Sequence, residues 1–278
     1  YDFDNTIFSF IPNTAETAFY GMVKGIEEYL NNYKSEEIKK LNGKLDPAEL
    51  QRILNLRPRV EKLALKDVKL RTFITNDSDR GDLVSHVYDV TYGQVNDGKD
   101  TVVLIDDSIV RGTTLKDSII AILDRLNPKK IVIVSSAPQI RYPDCYGIDM
   151  SKMGDFVAFR AMIELLKENK KEHLIQEVYD ECVEVNKLSN EKSYNAVKKL
   201  YDQFTDDQVS KKIAQIVKAK HIRAEVEVIY QSVDSLHLAC PKNLGDWYFT
   251  GNYPTPGGNK VANKAFMNWV EKKDVRAY

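Results

Sequence analysis

Two adjacent carboxylates, Asp106 and Asp107, stand between a strand-like run and a short loop rich in hydroxyls. The stretch reads VVLIDDSIVRGTT over residues 102–114. Val102, Val103, Leu104 and Ile105 are apolar without alternation, the pattern of a strand covered on both faces in a parallel sheet. From Leu115 onward, Ile119, Ile120, Leu123 and Leu126 recur at helical spacing, so a helix follows. Between strand and helix, Ser108–Thr114 can turn backbone N–H groups and hydroxyls toward one point at the positive end of the helix. Such a loop cradles phosphate. The acidic pair lies at the C-terminal end of the strand, where open α/β sheets bind ligands. Two carboxylates beside a phosphate suit ribose hydroxyls, or a magnesium ion held on phosphate oxygens. The plainer alternative is an acidic pair that solvates a turn and caps the next helix.

The complete string resembles the phosphoribosyl-pyrophosphate (PRPP) signature of type I phosphoribosyltransferases, and DDSIVRGTT is similar to the variant found in the amidophosphoribosyltransferase family. Three further segments resemble the same family. They are SSAPQIRYPDCYGIDM (135–150) with its YGID, LRTFI (70–74), which is similar to a GRTFI ahead of a flexible loop, and YFTGNYP (248–254). Together the four span most of residues 8–256 in the family's order.

The resemblance implies an α/β protein of the type I phosphoribosyltransferase fold, a mainly parallel sheet flanked by helices, with a helical C-terminal extension. Residues 1–150 would form the transferase core and 151–278 the extension and aromatic tail. Asp106 and Asp107 would be the catalytic pair and the ligands of Mg²⁺. Ser108, Ile109, Val110, Arg111, Gly112, Thr113 and Thr114 would take the 5′-phosphate. Asn13, Thr14 and Ala15, with Arg71, would meet pyrophosphate, and Arg80 is a further candidate. Family members tend to carry an acidic residue where Asn13 stands. Without the resemblance, residues 12–17 read as an ordinary strand-to-helix turn with Thr14 as its N-cap.

Composition limits the remaining classes. At 278 residues the chain can bury a real core, and Lys plus Arg (40) nearly balances Asp plus Glu (41). Nothing in that balance argues for nucleic acid. No apolar run approaches the roughly 20 residues of a membrane helix. Cys145, Cys182 and Cys240 form no CxxC and no disulfide framework, which favours a reducing, cytoplasmic setting. His86, His173, His221 and His237 lack metal-ligand spacing. Some family members hold an iron–sulfur cluster through cysteines, but three scattered ones make no full ligand set, so none is expected here.

Along the chain, Ile7–Ile11 reads as the first strand, and Ala18, Met22, Ile26 and Tyr29 mark a helix over 14–30. Residues 31–62 look like a helical surface insertion, with a helix start at Asp46-Pro47. Thr72–Ile74 reads as a strand, and the polar stretch 76–98 as a flexible loop or hood. Ile131–Ser135 completes a βαβ step. Beyond Met150 come two amphipathic stripes, on Phe156, Phe159, Met162, Ile163 and Leu166 and on Leu174, Val178, Cys182 and Val185. A further helix starts at Asp206-Asp207, and Ala224–Gln231 reads as a late strand. The glycines and prolines of residues 247–259 forbid regular structure, while their aromatics need burial. The tail should wrap back over its domain, with an aromatic substrate wall as the alternative.

The implied reaction displaces pyrophosphate from the anomeric carbon of PRPP by ammonia, giving phosphoribosylamine at the start of purine synthesis. The family makes that ammonia from glutamine in an amino-terminal glutaminase domain, to which nothing here corresponds. A strand so near Tyr1, which is not Met, suggests a piece of a longer protein. Expected ligands are PRPP and ammonia, with purine nucleotide inhibitors as candidates. No nucleic acid or membrane partner is expected, and the chain should form a homo-oligomer. A non-catalytic PRPP or nucleotide sensor on the same fold is the other reading.

Overall fold

A computed structural model describes residues 2–41, 46–66, 88–146, 150–189, 192–243 and 245–277. The strand and arginines expected at 70–80, the start of the expected hood at 76–87, and residues 147–149 of YGID lie outside them. The chain divides into two compact units. The first comprises Tyr1–Asp107, Thr114–Ser136 and Ala219–Glu227; the second comprises Ser108–Thr113, Ala137–Lys218 and Val228–Tyr278.

The first unit is built on strands β1 (Thr6–Phe10), β2 (Arg59–Val60), β5 (Thr101–Asp106), β6 (Lys130–Ser135) and β7 (Glu225–Tyr230), in the order β2-β1-β5-β6-β7. β1 runs parallel to both β2 and β5, and β5 runs parallel to β6. Ile7 lies opposite Val102, and Val102 opposite Ile131. The mainly parallel sheet expected from the apolar run at 102–105 is therefore present, with that run on the central strand. Val102 and Leu104 have no exposure and Ile105 almost none. Helix α1 (Glu16–Lys40) packs Phe19, Ala18, Met22, Val23 and Ile26 against Phe8, Phe10 and Ile105.

α1 runs ten residues past the apolar stripe that marks it in the sequence. Its last turns are carried by helix-forming Glu and Lys, paired at Glu36–Lys39 (2.8 Å) and Glu37–Lys40 (2.7 Å). Helix α2 (Pro47–Asn55) starts as read, with the Asp46 side chain accepting from the Ala48 N–H. Within the stretch read as loop, β4 (Tyr88–Val90) forms an antiparallel pair with β3 (Ala64–Lys66). Three-residue strands are too short for periodicity to reveal. A π-helical turn, Leu115–Ile119, leads into helix α3 (Ile120–Asp124). At its end, buried Asp124 accepts from the N–H groups of Arg223 (3.1 Å) and Ala224 (2.9 Å), just ahead of β7.

The second unit is helical: α4 (Val157–Glu168), α5 (His173–Lys187), α6 (Lys198–Tyr201), α7 (Asp206–Val217), α8 (Val233–Ala239), α9 (Trp247–Thr250) and α10 (Pro256–Val270). Both expected stripes face its core, where Phe156, Phe159, Met162, Leu166, Val178 and Cys182 meet Leu200 and Phe266. Thr205 and Gln208 close a capping box at the start of α7.

The tail departs from expectation, because α9 and most of α10's first turn occupy the Gly- and Pro-rich segment. Proline at a helix's first position gives up only an N–H that would have no partner. Pro256 sits there, behind Thr255, whose hydroxyl caps the Gly258 N–H (3.3 Å). The tail is also fastened to the segment before YGID. The Tyr248 carbonyl accepts from the Arg141 and Tyr142 N–H groups (2.8 and 3.1 Å) and its phenol donates to Asp144 (3.0 Å), while the Tyr253 phenol donates to the Pro143 carbonyl (2.6 Å). Its aromatics are thus held against residues 141–144 of the same unit. Among the described residues, no helix is long and apolar enough to cross a membrane.

Candidate functional site

In the first unit the carboxylates close the central strand. Asp106 is the last residue of β5, and its carbonyl accepts from the Ser136 N–H (2.9 Å). Asp107 is exposed, and its carbonyl accepts from the Ser136 hydroxyl (3.0 Å). The Asp106 side chain accepts from the Asp107 N–H at 3.0 Å. Burial, and then the neighbouring charge of Asp107, push the Asp106 carboxyl up to about 7.

Two crowded carboxylates of this kind fit a divalent cation. Their oxygens are hard donors, and Mg²⁺ commonly takes one or two carboxylates together with substrate phosphate oxygens. A cage made by protein alone is not present, since no group of three or more His, Cys, Asp or Glu side chains among the described residues could hold a metal. Tyr88 of β4 belongs to the same surroundings. Burial, and then the charges of Asp106 and Asp107, hold its phenol above the usual tyrosine range. Nothing in the sequence marked it, because its strand is short and its partner strand lies over twenty residues earlier.

The expected pyrophosphate turn also lies in this unit. Asn13 and Thr14 are exposed, and Ala15 is fully buried in the cluster beneath α1. The Pro12–Asn13 peptide is cis. Thr14 is not the N-cap that its residue type suggests. Ala15 occupies that position, and no side chain caps the helix. Among the described residues the first N–H groups of this 25-residue helix meet no side-chain cap, and the Glu16 N–H donates to the Asn13 carbonyl (3.4 Å). Arg71, the other pyrophosphate candidate, lies outside the described residues.

In the second unit the loop Ser108–Thr113 is tied down from one side. Ile109 is buried, and Val110 packs on the helical core. The Val110 carbonyl accepts from the Val157 N–H at 2.8 Å. The Arg111 carbonyl accepts from the Arg160 guanidinium. The Arg111 side chain pairs with Asp155 at 3.6 Å, the neighbouring-carboxylate role. Gly112 has φ +71, and a Cβ there would come within 3.1 Å of Val217 and 3.3 Å of Val157. The crowding that a side chain would cause at this position therefore falls on two valines. Thr113 and Thr114 are exposed at the start of the following helical segment.

Sequence reasoning passed over Arg160. The available signal was a lone arginine inside the apolar run Phe156–Ile163, where a charge needs a reason.

The cysteines occupy unlike places. Cys182 is fully buried, and burial pushes its thiol up to about 12. Cys145 is partly buried and Cys240 exposed, and all three are free.

Comparison with known proteins adds the following. No protein-family model matches the chain. Part of it is similar to amidophosphoribosyltransferases. Identity is 43% over 67 residues with the Haemophilus influenzae protein, a match covering 24% of this chain and 13% of that one. It is 48% over 58 residues with the Pasteurella multocida protein, covering 21% and 11%. With the Saccharomyces cerevisiae protein it is 39% over 67 residues, covering 24% and 13%. These matches therefore span only a small part of each relative. Among solved structures, one described as the allosteric regulatory enzyme of purine biosynthesis aligns with 90% of this chain and 37% of its own, at 20% identity and a TM-score of 0.46. The glutamine PRPP amidotransferase from B. subtilis, complexed with ADP and GMP, aligns with 90% and 38%, at 20% identity and a TM-score of 0.44.

Proposed function

We propose that this chain carries the phosphoribosyl-transfer half of an amidophosphoribosyltransferase, joining ammonia to PRPP with release of pyrophosphate. One observation carries the reading: the string DDSIVRGTT follows the apolar run of the central strand in a mainly parallel sheet, and its relatives over 58–71 residues bear that enzyme's name.

Each chemical need of the reaction has a candidate group. Displacement at the anomeric carbon develops positive charge on the ribose. Asp106 and Asp107 supply acceptors for ribose hydroxyls and negative charge beside the ring. Ser108–Thr114 would anchor the 5′-phosphate through backbone N–H groups and the hydroxyls of Ser108, Thr113 and Thr114. Anchoring remote from the reacting carbon turns binding energy into orientation. Mg²⁺, held by the acidic pair and substrate phosphate, would neutralise charge on the departing pyrophosphate. The turn at Asn13, Thr14 and Ala15 is the candidate contact for that same leaving group, with Asn13 and Thr14 exposed there.

Ammonia would come from a glutaminase domain in the full protein. The scattered cysteines support a reducing, cytoplasmic setting, while self-association and inhibition by purine nucleotides follow from the resemblance. The test is to mix the chain with PRPP, Mg²⁺ and ammonia and measure pyrophosphate. Ammonia-dependent release supports the reading. Tight PRPP binding without release would support a sensor instead.

A further inference from the structure

The short strand pair β3–β4 hangs on the sheet at the end where the acidic pair lies. Glu61 N–H donates to the Phe8 carbonyl (3.1 Å), and Leu63 N–H donates to the Ser9 hydroxyl (3.1 Å), just ahead of β3. Ser9 lies opposite Leu104 and Phe10 opposite Ile105, one residue before Asp106. Beyond β4, Thr91 donates its N–H to the Leu63 carbonyl (3.0 Å) and its hydroxyl to the Lys62 carbonyl (2.8 Å). The pair is thus anchored beside β1 at the level of the last residues of β5. β4 also packs on α3, the helix next after β5.

Within the pair, Lys66 lies opposite Tyr88. Residues opposite each other share a face, and the Lys66 Nζ stands 5.7 Å from the centre of the Tyr88 ring. The ring is partly buried, and the charges of both Asp106 and Asp107 reach its phenol. Among the described residues the Tyr88 hydroxyl has no hydrogen-bond partner and the Lys66 ammonium has no ion pair. A partly buried tyrosine usually finds a partner for its O–H. An O–H donor and a cation side by side, close to two carboxylates, suit an anion that brings its own divalent cation to those carboxylates. Neither residue lies in the four segments that resemble the family.

We propose that Tyr88 and Lys66 bind the pyrophosphate group of the substrate. The Tyr88 hydroxyl donates to one of its oxygens and the Lys66 ammonium pairs with another, while the acidic pair holds the accompanying Mg²⁺. The inference rests on the proposed function for the identity of the anion.

The experiment measures binding of inorganic pyrophosphate with Mg²⁺, and of ribose 5-phosphate, to the whole chain. Thermal unfolding is followed alongside, for the parent, Tyr88→Phe and Lys66→Gln. Tyr88→Phe keeps the ring under Lys66 and removes only the O–H, so pyrophosphate should weaken about three- to tenfold, the scale of one hydrogen bond. Lys66→Gln should weaken it about tenfold or more, as expected for one lost charge-assisted contact. Ribose 5-phosphate affinity should change less than about twofold in both variants. Equal loss of both affinities together with a lowered Tm would make the two residues part of the framework only, and overturns the inference. An unchanged pyrophosphate affinity in either folded variant overturns it for that residue, and leaves the proposed function standing if the parent still releases pyrophosphate from PRPP with ammonia. Should Lys66→Gln fail to fold, Tyr88→Phe decides by the same measure. A parent chain that binds neither ligand overturns the proposed function and this inference with it.

Discussion

Replacing Gly112 by alanine tests whether the phosphate loop is shaped by its own unit or by its ligand. The backbone at Gly112 has φ +71, in the left-handed region. An L-residue held there costs about 1–2 kcal/mol. The added Cβ would lie 3.1 Å from Val217 Cγ1 and 3.3 Å from Val157 Cγ2. Both valines are buried and stiff at χ1, so yielding a few tenths of an ångström adds roughly 1–3 kcal/mol of overpacking. Alanine also restricts the unfolded chain, which offsets about 0.4–1 kcal/mol. The expected net loss is about 2–3 kcal/mol. For a unit of this size that lowers Tm by roughly 5–9 °C.

Thermal or urea unfolding reads the loss directly. A double-mutant cycle with Val217→Ala then locates it, because removing the Val217 methyls should relieve at least about 1 kcal/mol of the Gly112→Ala cost. Strict additivity, or an unchanged Tm in the single variant, would refute the reasoning. A stable Gly112→Ala variant that had lost only ribose 5-phosphate binding would show that the glycine serves close approach of the phosphate instead.

Asp106→Asn and Asp107→Asn should each leave the fold intact and cut ammonia-dependent pyrophosphate release at least about a hundredfold, the scale of a lost charge-stabilising group. Unchanged turnover in either variant removes that residue from the mechanism. Asp124→Ala orphans the N–H groups of Arg223 and Ala224, and should cost about 2–4 kcal/mol in chemical unfolding. Arg223, whose side chain is 62% exposed, should cost under about 1 kcal/mol when replaced by alanine. Equal losses would show that the ion pair, and not the backbone bonds, ties this strand in. Iodoacetamide should alkylate exposed Cys240 in the folded chain and spare Cys182, whose buried thiol sits at about 12. Early modification of Cys182, read by peptide mass, would contradict its burial. Stoichiometric iron and sulfide in the purified protein would contradict the expected lack of a cluster.

Sequence alone carried far where local chemistry decides structure. The unalternating run Val102–Ile105 pointed to a strand buried on both faces, because a central parallel strand is covered on both sides and needs no polar face. The stripes of α4 and α5 and the start of α7 followed from helical spacing and capping residues. The acidic pair and its loop were legible as chemistry because their residue types are adjacent in the chain. What sequence could not supply were relations between residues far apart. Tyr88 shares the surroundings of Asp106 and Asp107 only because β4 folds onto β3. Thr14 has the right side chain to cap α1, yet Ala15 takes the position, since burial of Ala15 against the sheet fixes where the helix begins. Gly112 reads in the sequence as a glycine for phosphate approach, and only the fold shows that a Cβ there would also meet Val157 and Val217, residues 45 and 105 positions away. Arg160 goes unremarked inside an apolar stripe of the sequence, and only the fold places its guanidinium on the Arg111 carbonyl. Periodicity and residue type report what a segment prefers by itself. Which carbonyl, methyl group or charge it meets depends on packing between segments, and that exists only in the folded chain.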